Sequence, residues 1–88
     1  MGSYIVLIER KLSFTGKNIP SHRKFLEFLK DSGKLIESGA YADQTGGAYV
    51  LHASSIEEAH ALVSQDPMND EECEYKVKEW NVSRLIMK

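Results

Sequence analysis

Tyr4-Ile5-Val6-Leu7-Ile8 opens the chain with five apolar residues, three of them β-branched. Strands alternate their side chains between two faces, so a run that is apolar on both parities marks a strand buried on both sides. The rest of the fold follows from asking what covers each face.

A polar loop with Ser13, Thr15, Gly16, Lys17 and Asn18 comes next. Pro20-Ser21 then opens a helix, with Ser21 as the expected N-cap. Phe25, Leu26 and Leu29 recur at helical spacing, Phe28 widens the stripe, and Gly33 stands where a C-cap is wanted. Residues 35–41 read as a second strand, Asp43-Gln44-Thr45-Gly46 as a turn, and residues 48–52 as a third strand, close enough to the second to form a hairpin. Ser54 and Ser55 each precede a glutamate by three residues, Glu57 and Glu58, so a capping box starts a second helix. Ile56, Ala59 and Val63 form its stripe, with Leu62 beside it, and Pro67 stops it near Gln65-Asp66. Residues 68–74 are short and acidic, residues 75–82 alternate as a fourth strand, and residues 84–88 form an apolar tail of undefined type.

The order is β-α-β-β-α-β, the split βαβ arrangement of a ferredoxin-like α+β fold. Its four-stranded antiparallel sheet carries both helices on one face. The chain is long enough for one domain, residues 1–88, and shows no repeat or linker. The topology puts the first strand in the middle of the sheet, so its second apolar face needs a cover. The same face of a second copy supplies one, and a homodimer packed through its sheet faces is expected. The competing cover is the chain's own tail, residues 85–87, folded back.

A net charge of −2, with no long run of Lys or Arg, gives no electrostatic reason to bind nucleic acid or an anionic membrane. One cysteine, Cys73, permits no intramolecular disulfide, and the first apolar run is too short for a signal peptide or a membrane span. The cytoplasm is the expected location.

In this topology the start of the first helix, the end of the second and the central hairpin meet at one end of the domain. His22, Asp66 and residues 41–43 converge there. His22 precedes Phe25 and Leu26 by three and four residues, so it shares their inward face. A helix start disfavours imidazolium and a nearby carboxylate favours it, opposing pulls that suit general acid–base work. A hydrogen-bonded histidine closing the end of the core is the alternative. Asp66-Pro67 is by itself a common turn dipeptide. His52 falls at the opposite end and His60 mid-helix, and no His or Cys spacing fits a zinc site, so no metal or organic cofactor is expected. Tyr41 and Tyr49 are pocket candidates whose usual fate in strands is packing, and Trp80 is read the same way. Cys73, among Glu71, Glu72 and Glu74, makes a poor nucleophile. Gly46-Gly47 reads as hairpin punctuation rather than a phosphate loop.

The ordered set of segments resembles the YciI-like (YCII-related) family. The strand of residues 4–8, then His22 at a helix start, carry the resemblance together with Gly33-Lys34-Leu35-Ile36-Glu37-Ser38-Gly39. So do Ser55-Ile56-Glu57-Glu58-Ala59, Asp66-Pro67-Met68 and residues 75–82 with Glu79-Trp80. The resemblance implies a dimeric α/β barrel and a His and Asp pair in the active site, here His22 and Asp66. It also implies a cofactor-free lyase or isomerase on small organic molecules, substituted aromatic rings among them. Ala40 stands where that family often has proline, and Met68 where an aromatic often follows Asp-Pro. Tyr41, Gly39 and Phe25 complete the expected substrate-binding set. A small-molecule-binding or accessory dimer without turnover is the alternative function, and a dimeric scaffold a third.

Overall fold

The computed structural model describes residues 2–69 and 72–83, so the expectations on Glu71 and on the tail of residues 84–88 lie outside the described residues. The elements run β1 (Gly2–Arg10), α1 (Ile19–Asp31), β2 (Leu35–Ala40), β3 (Gly46–Ala53), α2 (Ile56–Val63) and β4 (Cys73–Glu79). Every strand pair is antiparallel and the sheet order is β2-β3-β1-β4, the ferredoxin-like arrangement with β1 between β3 and β4.

Alternation along β1 divides the molecule. Tyr4, Val6 and Ile8 point to the helices and are buried, joined there by Tyr49 and Leu51 of β3 and by Cys73 at the start of β4. Phe25 and Leu29 of α1 and Ala59 and Val63 of α2 close this layer from above. Full burial of side chains this size contributes about 1.5–3 kcal/mol each, so this layer drives folding. Phe28 is 53% exposed and does not widen the stripe. At about 100° per residue it falls roughly 90° from the middle of the face shared by His22, Phe25 and Leu29.

The helix ends explain the remaining differences from the sequence reading. α1 starts at Ile19 with Asn18 as N-cap, three residues before the expected Ser21. Proline is tolerated inside a first turn, where its missing N–H has no intrahelical acceptor, so Pro20 sits within the helix rather than ahead of it. At the other end Gly33, with φ 74°, donates to the Lys30 carbonyl while Lys34 donates to that of Leu29. These two bonds form a Schellman cap, whose left-handed residue favours glycine. In α2 the Ser55 hydroxyl accepts from the Glu58 N–H, and the Glu58 carboxylate accepts from the Ser54 N–H. The helix ends at Val63, slightly before the expected point. β4 begins two residues earlier than read and stops at Glu79, with Trp80 N–H adding one further bond to the Ser3 carbonyl.

Among the described residues no helix lies on the opposite face of the sheet. Ile5 and Leu7 lie there, paired across to Val50 and Ala48 on one side and to Lys78 and Lys76 on the other. Ile36, the extra residue of a bulge between Leu35 and Glu37, together with Trp80 and Val82, extends this surface, all three substantially exposed. A central apolar strip with charged residues at its margin is the pattern of a surface meant to be covered.

Candidate active site

Asp66 follows α2 in a tight turn, in which its N–H donates to the Val63 carbonyl and its own carbonyl accepts from Asn69. The turn drives the carboxylate into the protein, where the side chain is wholly enclosed. Four donors converge on it. The Met68 N–H reaches Oδ1 at 3.1 Å, and the Tyr49 and Tyr75 hydroxyls reach Oδ2 at 3.3 and 2.8 Å. The fourth is Nδ1 of His22, 2.9 and 2.8 Å from the two carboxylate oxygens. An acceptor-only group surrounded by donors is the arrangement that a buried carboxylate requires.

His22 reaches this point because α1 begins early enough to place it one turn in, its N–H bonded to the Asn18 carbonyl. On that face it shares the stripe with Phe25 and Leu26, and its side chain is 13% exposed. The Asp66 bond selects the tautomer protonated at Nδ1. Nε2 then carries the ring's free lone pair, and His22 lines a cavity of about 230 Å³. That volume holds on the order of eight water-sized groups, enough for one substituted ring.

The cavity is walled by Ile8, Phe14, Ile19, Leu26 and Met68, with Arg10 and Arg23 at its margin. Its floor is the backbone of Gly39, Ala40, Gly46 and Gly47. A Cβ at Gly47 would come within 2.5 Å of the Gly39 carbonyl oxygen, and one at Gly46 would collide with the Ile8 carbonyl. The two glycines therefore begin β3 and let three strands approach closely under the cavity, a larger role than punctuating a hairpin.

The structure separates the expected binding residues. Gly39 lines the His22 cavity. Tyr41 does not; it borders a shallow depression on the uncovered sheet face with Ile5, Glu37 and Trp80. Alternation explains this, because Tyr41 keeps the parity of Gly39, whose missing side chain leaves backbone visible from both faces. Phe25 is packed into the core, edge-on to the Tyr49 ring at 6.4 Å, behind the cavity wall.

Three residues matter more than their sequence setting suggested. Tyr49 and Tyr75 hold Asp66, and both phenols are pushed well up from their ordinary value by burial first and then by the Asp66 charge. They remain protonated donors at neutral pH. Cys73 lines the cavity, and its thiol is raised chiefly by burial, with Glu72 adding to the shift, so it stays a neutral thiol. Among the described residues no three His, Cys, Asp or Glu side chains come together as a metal site requires.

Glu72 belongs to the acidic connection around Cys73, yet it is 2% exposed. One carboxylate oxygen accepts from the Thr15 N–H and hydroxyl, both at 2.6 Å, and from the Gly16 N–H at 3.2 Å. This clamp ties down the loop that delivers Phe14 and Ile19 to the cavity.

Residues 4–81 match the model of the YCII-related domain family. The uncharacterised protein YjpA of Bacillus subtilis (strain 168) is 34% identical over 85 residues, covering 96% of this chain and all of that protein. Among solved structures, 5-chloro-2-hydroxyhydroquinone dehydrochlorinase (TftG) from Burkholderia phenoliruptrix AC1100 was captured with 2,5-dihydroxybenzoquinone. It superposes with a TM-score of 0.74 at 21% identity, covering 92% of this chain and 95% of that one. MtbAldR superposes at 0.61 with 12% identity, covering 96% of this chain and 57% of that one. These likenesses show the fold. No helix of the described residues is long and apolar enough to cross a membrane.

The Thr15 hydroxyl and backbone bonds hold the Glu72 carboxyl below its ordinary 4.5. A carboxyl with a depressed folded-state value stabilises the fold fully above its unfolded value and loses that contribution as pH falls through the folded one. Glu72→Gln is therefore expected to melt below the wild type at pH 7, with the gap narrowing as pH falls from about 4.5 towards 3. Thermal melts across that range check it; a gap independent of pH would contradict the clamp.

Proposed function

The chain belongs to the YCII-related family, and from that premise we propose that it is a cofactor-independent lyase or isomerase acting on a small organic molecule. The observation that carries the reading is the His22–Asp66 contact at 2.8 Å beside a cavity sized for one ring. His22 is the general base and Asp66 its positioning partner. Nε2 takes a proton from a substrate carbon or hydroxyl, and the electron pair released forms a new double bond. In a lyase the leaving group departs with its own bonding pair; in an isomerase the imidazolium returns the proton at a second position. Asp66 stabilises the imidazolium formed in between, and the Tyr49 and Tyr75 hydroxyls keep its carboxylate from turning away. The fold likeness to a dehydrochlorinase of a hydroxylated ring is consistent with proton removal followed by loss of a leaving group.

Asp66 also joins α1, β3, β4 and its own turn, so the same contacts would suit a purely binding domain in which the pair is structural. The two readings part on His22. Solvent exchange of acidic C–H protons in D2O, followed by NMR over a panel of cyclic ketones and hydroxyquinones, reports proton abstraction directly. The wild type is expected to accelerate exchange in at least one compound, and His22→Gln to slow it by about a hundredfold without losing the fold. Exchange unchanged by the substitution, together with a lowered melting temperature, would favour the structural reading.

The working unit is a homodimer closed over the uncovered sheet face. The support is the apolar strip of Ile5, Leu7, Ala48 and Val50, set on a domain in which both helices of the described residues lie on the other side. Light scattering at micromolar concentration should give twice the chain mass, and Ile5→Lys should halve it. A monomer mass for the wild type would overturn the dimer.

A further inference from the structure

The charge around the cavity is one-sided. The chain as a whole is acidic, with 13 Asp and Glu against 11 Lys and Arg. Yet Arg10 and Arg23 line the cavity and, among the described residues, no Asp or Glu does. The two buried carboxylates beside it are already engaged: Asp66, behind the His22 ring, by four donors, and Glu72 by the Thr15 N–H and hydroxyl and the Gly16 N–H. Neither guanidinium is paired with a carboxylate among the described residues.

Arg10 is also oriented. It ends β1, its N–H bonded to the Thr45 carbonyl, and its guanidinium carbon lies 4.2 Å above the Phe14 ring. Stacking of this kind holds the guanidinium plane while leaving its edge donors free. Phe14 is in turn held by the loop that Glu72 clamps. Arg23 approaches from α1, one residue after His22 and just past the first turn. Two cations from different elements therefore border a mainly apolar cavity whose base faces inward.

We infer that the ligand of this cavity is a small organic anion with a flat apolar body, its carboxylate or ring oxyanion held by Arg10 and Arg23. The inference rests on the reading of the His22 cavity as a substrate site and adds the class of substrate. The apolar walls take the ring, and the guanidinium edges take the charge in the paired geometry that suits two oxygens. The same two cations stabilise the further negative charge that develops when Nε2 removes a proton, since they act at a site shielded by apolar walls.

The test uses three probes of one shape and different charge: benzoate, benzamide and benzamidine. Each is titrated into the full chain at constant ionic strength while the His22 ring signals are followed by NMR. Benzoate is expected to shift those signals and to bind at least about tenfold more tightly than benzamide, with benzamidine weakest. Arg10→Gln and Arg23→Gln should each weaken benzoate on the order of tenfold and leave benzamide within about twofold, since they remove only a charge-assisted contact. Arg10→Lys should recover part of the loss, because it keeps the charge but not the stacked fork. Both arginines are exposed, so unchanged melting temperatures are expected to accompany these effects. Benzamide binding as tightly as benzoate, benzamidine binding most tightly, or benzoate leaving the His22 signals unmoved would each overturn the anion assignment. Those results leave proton abstraction to be judged by the exchange measurement. Loss of exchange with the benzoate preference intact would instead remove the base and keep the anion site.

Discussion

A carboxylate taken out of water must be given donors, and the candidate site is organised around that need. The Asp66 side chain is wholly enclosed. Removing one partner of a buried charge costs several kcal/mol, about 3–5 in comparable cases, so its neighbours are constrained as strongly as it is. The donors come from α1, β3, β4 and the turn itself. One side chain thus binds the helix start to two strands that are not adjacent in the sheet. The tautomer of His22, the direction of Nε2 and the place of the cavity all follow from that demand.

A second constraint comes from the sheet. Gly46 and Gly47 allow β1, β3 and β2 to approach closely at one end, while Glu72 fixes the loop above them. The cavity lies between these rigid pieces, which suits a group that must hold a proton acceptor in one position. The sheet's other face is apolar where it is uncovered, so burying it and using the cavity on the helix side do not compete.

Much of this was legible in the residues. A run apolar on both parities, a capping box at Ser55 and a glycine at position 33 suffice for the element order. The order in turn brings the start of one helix towards the end of the other, which is why His22 and Asp66 could be considered together although 44 residues separate them. Periodicity could not reveal the partners of Asp66 on strands. Tyr49 and Tyr75 look like packing residues, and only the three-dimensional register shows that their hydroxyls end at one carboxylate. Tyr41 was misplaced because a one-residue change of parity moves a side chain through the sheet. Phe25 was misplaced because an inward helical face contains both cavity wall and core, and spacing does not distinguish them. Glu72 carried no signal at all, since an acidic residue in a connection reads as solvated until its donors are known.

The central claim is that Asp66 fixes His22 with Nδ1 protonated and Nε2 open to the cavity. Nitrogen-15 NMR of the histidine ring, recorded where the ring is neutral, measures this directly. A proton on Nδ1, a bare Nε2, and loss of that tautomeric preference in Asp66→Asn are expected. A neutral ring protonated at Nε2, or a tautomer ratio untouched by the substitution, would contradict it.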